Sequence, residues 1–238
     1  MQTTNRCPKC GSTKYVKHGK VKNRQRYKCK ECGYHFTVFK LGKRIERELV
    51  VRAIQLYLEG MGFRSIERIL GVSHVSVMNW VKKLGKSIEQ MKKNYHTEFK
   101  VVEMDELCSY IKEKKNKIWI WCAYSRDRKQ VLGFYVGDRS ESSAEKLYMQ
   151  IKNFKIEKFC TDYWQSYDSV LPSQKHIKSK KETYSIEGMN SLIRHYLARF
   201  KRRTKCYSKS FEMIRYTLNI FFHKKINKEF INFECILN

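Results

Sequence analysis

Lys100-Val101-Val102-Glu103-Met104, Lys117-Ile118-Trp119-Ile120-Trp121-Cys122-Ala123-Tyr124 and Val131-Leu132-Gly133-Phe134-Tyr135-Val136 are three short runs rich in β-branched and aromatic residues, which mark strands. A helical pattern follows from Ser143 to Asn153, then a fourth strand-like run, Ile156-Glu157-Lys158-Phe159-Cys160. After Tyr184 the chain reads as mainly helical, with Phe211, Ile214, Leu218 and Phe221 on one face. Three strands, a helix, a strand and then helices is an α/β order. Asp105 sits at the end of the first run, in Glu103-Met104-Asp105-Glu106-Leu107, and Asp162 at the end of the fourth, in Phe159-Cys160-Thr161-Asp162.

Upstream the texture differs. From Gly42 to about Met91 the pattern is helical: Ile45, Leu49, Ala53 and Leu56 recur at spacings of three and four, as on one buried helix face. Within it, Ser65 to Val81 reads as two short helices around Gly71. Ile66, Ile69 and Leu70 are expected to pack the first helix, and Val72, Val77, Trp80 and Val81 the turn and second helix. Ser73 is suited to cap that second helix. His74, Ser76, Asn79 and Lys82 are left facing outward, with side chains fit for base edges and phosphates.

The first forty residues carry Cys7-Pro8-Lys9-Cys10 and Cys29-Lys30-Glu31-Cys32, two C-x-x-C pairs separated by 18 residues. That spacing suits a four-thiolate zinc site, each pair forming a knuckle and the hairpin between them closing a tetrahedron. Such a zinc is structural, because four thiolates leave no position open for water or substrate. Between the pairs lie Lys14, Lys17, Lys20, Lys22, Arg24, Arg26 and Lys28, with no acidic residue from Gly11 to Lys30. Lys22 and Arg24 in this run are expected to touch phosphates. Cys108, Cys122, Cys160, Cys206 and Cys235 are scattered and read as small buried hydrophobes.

The expected organisation is therefore multi-domain: a small zinc ribbon over 1–40, an all-α helix-turn-helix over 41–90, a connecting segment over 91–98 and an α/β domain over 99–238. The 238 residues hold 50 Lys+Arg against 23 Asp+Glu, a formal charge of +27, with 42% hydrophobic and 13% aromatic residues. So many aromatics exclude a disordered basic tail. The charge calls for a polyanionic partner, with nucleic acid ahead of a membrane surface. The apolar runs at Ile118–Tyr124 and Leu218–Phe222 are too short to span a bilayer, and the start has no secretory pattern. We expect a cytoplasmic, nucleoid-associated protein with no membrane partner.

Carboxylates at strand tips suit divalent metals, since hard ions such as Mg²⁺ or Mn²⁺ take oxygen ligands. Two such ions can activate an attacking oxygen and stabilise a leaving one in phosphoryl transfer. Asp105 and Asp162 are the first candidates, and Glu187, in Ser185-Ile186-Glu187-Gly188-Met189-Asn190, is a third from a helix. Glu103 and Glu106 remain alternatives to Asp105, and Asp168 to Asp162.

These residues carry a resemblance. The order of four-cysteine ribbon, helix-turn-helix and acidic α/β domain resembles the transposases of the IS1 insertion-sequence family. So do Glu103-Met104-Asp105-Glu106, Trp119-Ile120-Trp121, Cys160-Thr161-Asp162-Tyr163-Trp164, Ile186-Glu187-x-x-Asn190, the tract Leu197 to Thr204, and Tyr207-Ser208-Lys209-Ser210. The 24 residues between Asp162 and Glu187 are similar to the family too. The resemblance implies an RNase H-like domain with Asp105, Asp162 and Glu187 as a metal-binding triad. His176, Asn190 and Arg194 match the surroundings of its third carboxylate. His176 and Asn190 are read as auxiliary, Asn190 positioning a ligand or phosphate. Arg194, Arg199, Arg202 and Arg203 are read as contacts to the DNA backbone. In typical members the ribbon-and-helix part and the catalytic part are joined by frameshifting, whereas here one chain carries both.

The reading that follows is a DNA transposase. It binds the terminal repeats of its element and catalyses Mg²⁺-dependent strand cleavage and transfer into target DNA, as a homodimer or higher oligomer in the synaptic complex. The alternative is a non-enzymatic zinc-ribbon and helix-turn-helix regulator whose acidic domain serves only for dimerisation.

Overall fold

Aromatic and basic residues alternate along Tyr15-Val16-Lys17 and Arg26-Tyr27-Lys28, and the N-terminal segment forms β1 (Tyr15–Val21), β2 (Arg24–Cys29) and β3 (His35–Phe36), an antiparallel sheet in the order β1-β2-β3. The structure, a computed structural model, describes residues 6–21, 23–37, 46–91 and 97–237. It divides into two units, Met1–Glu46 and Arg47–Asn238. Lys22, Ile45, and 92–96 of the expected connecting segment lie outside the described residues. The first unit has a very small core: Cys7, Cys29 and Phe36 are buried, with Tyr15 and Tyr27 packed against them.

The second unit opens with α1 (Arg47–Leu58), α2 (Phe63–Leu70) and α3 (His74–Gln90). Gly71 ends α2 in the left-handed region, at φ 66°, where a Cβ would be strained. Ser73 caps α3, its hydroxyl accepting from the Val75 amide at 3.2 Å. Two expectations change here. The second helix is not short but 17 residues long, and Ile69 is 58% exposed. At 3.6 residues per turn the inward stripe of α2 runs through Phe63, Ile66 and Leu70, and Ile69 falls beyond its edge.

Long α3 is welded to the rest of its unit. A Cβ at Gly85 would lie 2.3 Å from Tyr216 Cβ, so only glycine lets α3 approach α6 (Phe211–Phe221) this closely. The Tyr57 and Thr217 hydroxyls share a buried 2.7 Å hydrogen bond. The helices read from sequence as a separate stretch thus share one core with the α/β part, through Ile54, Trp80, Leu84, Leu107, Ile193 and Leu218.

Within the α/β part, β4 (Glu98–Tyr110), β5 (Lys117–Ser125) and β6 (Gln130–Gly137) form an antiparallel meander. After α4 (Glu141–Ile151), capped by Ser140, β7 (Lys155–Thr161) returns parallel to β4, and β8 (His176–Lys178) parallel to β7. The order β6-β5-β4-β7-β8 is a mixed sheet consistent with an RNase H-like architecture. α5 (Tyr184–Tyr196) and α6 pack with the core on one face. α4 covers the other, over Val102, Met104, Trp121, Leu132 and Phe159. The last helix, α7, is Glu234–Leu237.

The first strand does not end at Asp105. Pairing with β5 carries β4 on to Tyr110, opposite Lys117. Phe211, expected on the buried face of α6, is 53% exposed because it opens the first turn beside the Ser210 cap, while Ile214, Leu218 and Phe221 are buried. Cys122 and Cys160 are buried as expected, but Cys108 is only half-buried and Cys206 exposed; the Cys235 side chain lies outside those described. Among the described residues no helix is long and apolar enough to cross a membrane.

Candidate active site and metal centre

Cys7 and Cys32 bring their sulfurs to 3.7 Å, Cys10 and Cys29 to 3.6 Å, and all four lie within 4.8 Å of one another. Zn–S bonds of about 2.3 Å put tetrahedral sulfurs about 3.8 Å apart, so the quartet fits a zinc ion. The two knuckles are built alike. The Gly11 amide donates to the Cys7 carbonyl at 2.9 Å and that of Gly33 to the Cys29 carbonyl at 3.1 Å, with both glycines at positive φ. The Cys32 backbone amide is the largest influence on the Cys29 thiol and holds it down to about 7. Cys10 goes the other way: the Ser12 backbone bond would lower it, but the neighbouring thiols and burial outweigh that bond. Among the described residues no other group of three or more Cys, His, Asp or Glu side chains gathers its ligand atoms so tightly.

On α3, Asn79 is exposed, and Ser76 and Lys82 are half-buried. His74 is partly exposed but carries an acidic partner. Its Nδ1 lies 2.9 Å from Glu67 Oε2 and its backbone amide donates to Glu67 Oε1 at 3.2 Å, which locks α2 to the start of α3. In the first unit Arg24 is exposed.

Asp105 and Asp162 both lie just beyond the point where the β4–β7 ladder stops. Glu103 is the last residue of β4 paired to β7, opposite Cys160. Asp105 lies two residues further along β4 and Asp162 just past the end of β7, near enough for its charge to act on Asp105, although it does not line the cleft at Asp105. Burial, then the charges of Glu106 and Asp162, raise Asp105 to about 7. The Asn190 amide donates to Asp105 Oδ2 at 2.7 Å. Glu187, in the first turn of α5, is exposed and receives a long 3.4 Å bond from the Thr183 hydroxyl. Asp105, Glu187, Asn190, Arg194 and Arg202 line one cleft of about 470 Å³. Burial, and next the neighbouring Arg202, lower the Arg194 guanidinium. Asn190 is 4% exposed, yet its Oδ1 has no hydrogen-bond partner. An orphaned carbonyl oxygen beside carboxylate oxygens is a donor set that suits a hard divalent cation.

His176 is occupied: its Nε2 lies 2.7 Å from the Thr161 hydroxyl, next to Asp162. Arg199 is turned inward, its guanidinium over the Tyr57 and Phe63 rings at 5.1 and 5.3 Å and bonded to the Ser208 hydroxyl. Arg202 and Arg203 are exposed. Asp168 is committed to Lys178 at 2.7 Å.

Two arginines escape the sequence reading. Arg126 bonds Glu103, which is 0% exposed, at 2.6 Å, and Glu103 also accepts the Ile186 amide at 2.8 Å. Glu103 thus satisfies a free amide in the first turn of α5, the turn that carries Glu187. On the opposite face, Arg139 donates twice to Glu106 Oε1, at 2.9 and 2.6 Å, and the Tyr167 hydroxyl donates to Glu106 Oε2 at 3.1 Å. Each arginine lies just beyond a strand and far along the chain from its acid, so no spacing in the sequence singles it out.

Comparison with known proteins bears on the α/β part. A family model described as IS1 transposase matches residues 99–228. The insertion element IS1 protein InsB of Shigella flexneri is 35% identical over 111 residues, 47% of this chain and 85% of that protein. The iso-IS1n protein InsB of Shigella dysenteriae is 31% identical over 124 residues, 52% of this chain and 95% of its own. The IS1 2 protein InsB of Escherichia coli (strain K12) is 35% identical over 122 residues, 50% and 73% respectively.

Proposed function

The chain belongs to the IS1 transposase family and is a DDE-type DNA transposase, and from that premise we propose how its parts divide the work. The RNase H-like part over 99–238 performs strand cleavage at the element ends and then joins the freed 3′-hydroxyl to target DNA. Asp105, Asp162 and Glu187 supply the carboxylate oxygens for Mg²⁺ or Mn²⁺. Bound there, two such ions lower the cost of forming the attacking oxygen and of releasing the leaving one. The chain's own groups do the rest. Asn190 fixes the rotation of Asp105 through its amide. Arg194 and Arg202, at the rim of the same cleft, hold backbone phosphate against the carboxylates' negative field. Glu103 keeps the first turn of α5, and with it Glu187, at the end of the sheet. The observation that carries this reading is that Asp105 and Asp162 lie just beyond the β4–β7 ladder, near enough for one charge to act on the other, with Glu187 on the wall of Asp105's cleft.

The ribbon over 1–40 and the helices over 41–90 take up the DNA, the zinc ordering the ribbon. Asn79, exposed on α3, reads base edges with Ser76 and Lys82. Lys22, Arg24 and Arg203 contact phosphates. A homodimer or larger assembly brings two element ends together. Asn79→Ala should lower discrimination between element ends and random DNA by about 1–3 kcal/mol. Arg203→Ala should weaken all sequences alike and reduce the salt slope by about one. The decisive assay incubates the full chain with its own terminal repeats and Mg²⁺ and looks for nicked and joined strands. Repeats that are bound but never cut would leave only a DNA-binding regulator.

A further inference from the structure

Asp162 lies one residue beyond β7, so no sheet pairing holds it, and a metal ligand on a loose turn loses affinity. What immobilises that turn is a cluster on the opposite face of the sheet. Oδ1 of Asp162 accepts the Trp164 amide at 3.0 Å. The Arg139 guanidinium packs over the Trp164 ring at 3.8 Å and over the Trp119 ring at 4.5 Å. Glu106 holds Arg139 through Oε1 while its Oε2 takes the Tyr167 hydroxyl, from the same turn as Trp164. The backbone at Arg139 is itself pinned. The Trp121 indole donates to the Asp138 carbonyl at 2.8 Å, and the Ser140 and Ser143 hydroxyls donate to the Asp138 carboxylate at 2.6 Å. A rigid chain of contacts therefore runs from the β6–α4 loop, through Glu106 in the middle of β4, to both ends of the turn that begins at Asp162.

We propose that Arg139 is a positioning residue of the active site, clamping Trp164 and Tyr167 with Glu106 so that the Asp162 carboxylate is held in one orientation. This rests on Asp162 being a metal ligand, as read above. The clamp needs the planar guanidinium, which stacks on indole rings and donates twice to one oxygen. An ammonium attracts a ring only as a point charge and cannot lie flat between two indoles while donating twice to Glu106. A role in overall stability alone would need only the charge beside buried Glu106.

The test is the Mg²⁺ dependence of strand cleavage by the full chain on element-end DNA, with end binding and melting temperature measured alongside. Arg139→Lys keeps the charge and loses the stack. The double variant Arg139→Met with Glu106→Gln leaves no unpaired buried charge, so it folds even where the single change does not. Both should raise the half-saturating Mg²⁺ concentration about tenfold or more, with cleavage recovering at high Mg²⁺ and end binding unchanged. Mn²⁺ binding followed by electron paramagnetic resonance should weaken in parallel. Asp162→Asn, run in the same titration, should stay silent at every concentration. If Asp162→Asn is silent but Arg139→Lys and the double variant keep the parent's half-saturation, with or without a lower plateau, the clamp is overturned and the triad reading stands. If Asp162→Asn cleaves like its parent, the triad reading falls and this inference with it.

Discussion

The cysteine quartet and the acidic cleft are both candidate metal centres, and they are built in opposite ways. The four sulfurs come from two knuckles of a single small sheet and already sit at tetrahedral separations of 3.6–3.7 Å. The three carboxylates come from the middle of β4, the turn after β7 and the first turn of α5, and they do not converge on one point. Asp105 is held by Asn190, Asp162 by the Trp164 amide, and Glu187 stands exposed with one long bond. A closed site saturates its metal and becomes part of the fold. An open one must leave coordination positions for the reacting oxygens, so its ligands are fixed by neighbours rather than by one another.

That contrast breaks first at the carboxylates. Asp105→Asn, Asp162→Asn and Glu187→Gln should each reduce strand cleavage by more than about 100-fold, beyond what changes to supporting residues cost, while gel-shift binding of element ends stays near the parent's. Three variants that cleave normally would remove the open centre altogether. On the other side, Cys29→Ser should take the zinc content from about one ion per chain to none and unfold the ribbon, whose buried core among the described residues is as small as Cys7, Cys29 and Phe36, because metal binding there supplies the folding energy. Circular dichroism should lose the ribbon's contribution while the Arg47–Asn238 unit melts unchanged, and end binding should weaken. A purified parent protein without zinc would show the quartet to be something else.

A smaller effect concerns the supports of the open centre. In sequence Glu106 is no more than an alternative to Asp105. Buried against Arg139 and Tyr167, it instead leaves an unpaired guanidinium when removed, and Glu106→Ala should cost about 3 kcal/mol of stability in urea unfolding, the low end for a broken buried pair because Arg139 is partly solvated. Glu103→Ala should cost a similar about 3 kcal/mol, since it strands both Arg126 and the Ile186 amide. Glu106→Gln, which keeps the acceptor, should lose far less.

How much of this is legible in the sequence follows from range. The cysteine pairs are read from local spacing, and the strand order from runs of β-branched and aromatic residues, so the ribbon and the sheet are open to a sequence reading. Ser73 and Gly71 likewise act within a turn of where they stand. Asp105 near Asp162 depends on a parallel register between segments 57 residues apart; their places at strand tips suggest the pair, and only the family resemblance chooses it over Glu103, Glu106 and Asp168. Arg126 and Arg139 are invisible because their partners lie 23 and 33 residues away along the chain. Gly85 gives no sign that α3 and α6 touch. Arg199 misleads for the same reason: in sequence it belongs to a basic tract, and in space it covers Tyr57 and Phe63.

The comparison can be sharpened most finely by pH. In the metal-free chain Asp105 is raised to about 7 from an ordinary 3.8 by burial and by the nearby charges of Glu106 and Asp162, with the Glu106 backbone amide and the Asn190 bond opposing; Arg194 at the cleft wall also opposes. A raised carboxyl binds its proton more tightly in the folded state than in the unfolded one. Between the two values the unfolded chain has released that proton and the folded chain has not, so stability contributed below about pH 4 is progressively lost as pH rises and levels off above about 7. Asp105→Asn should flatten this decline, and the difference in urea midpoint between parent and variant should grow across that window in the variant's favour. Added Mn²⁺ should restore the parent's stability at pH 7.5 more than at pH 5, because the cation competes with the proton for the same oxygens, and should leave Asp105→Asn almost unmoved. Identical pH profiles for parent and variant would mean that Asp105 carries no strained charge, and the open centre would then be less dependent on a cation than its geometry implies.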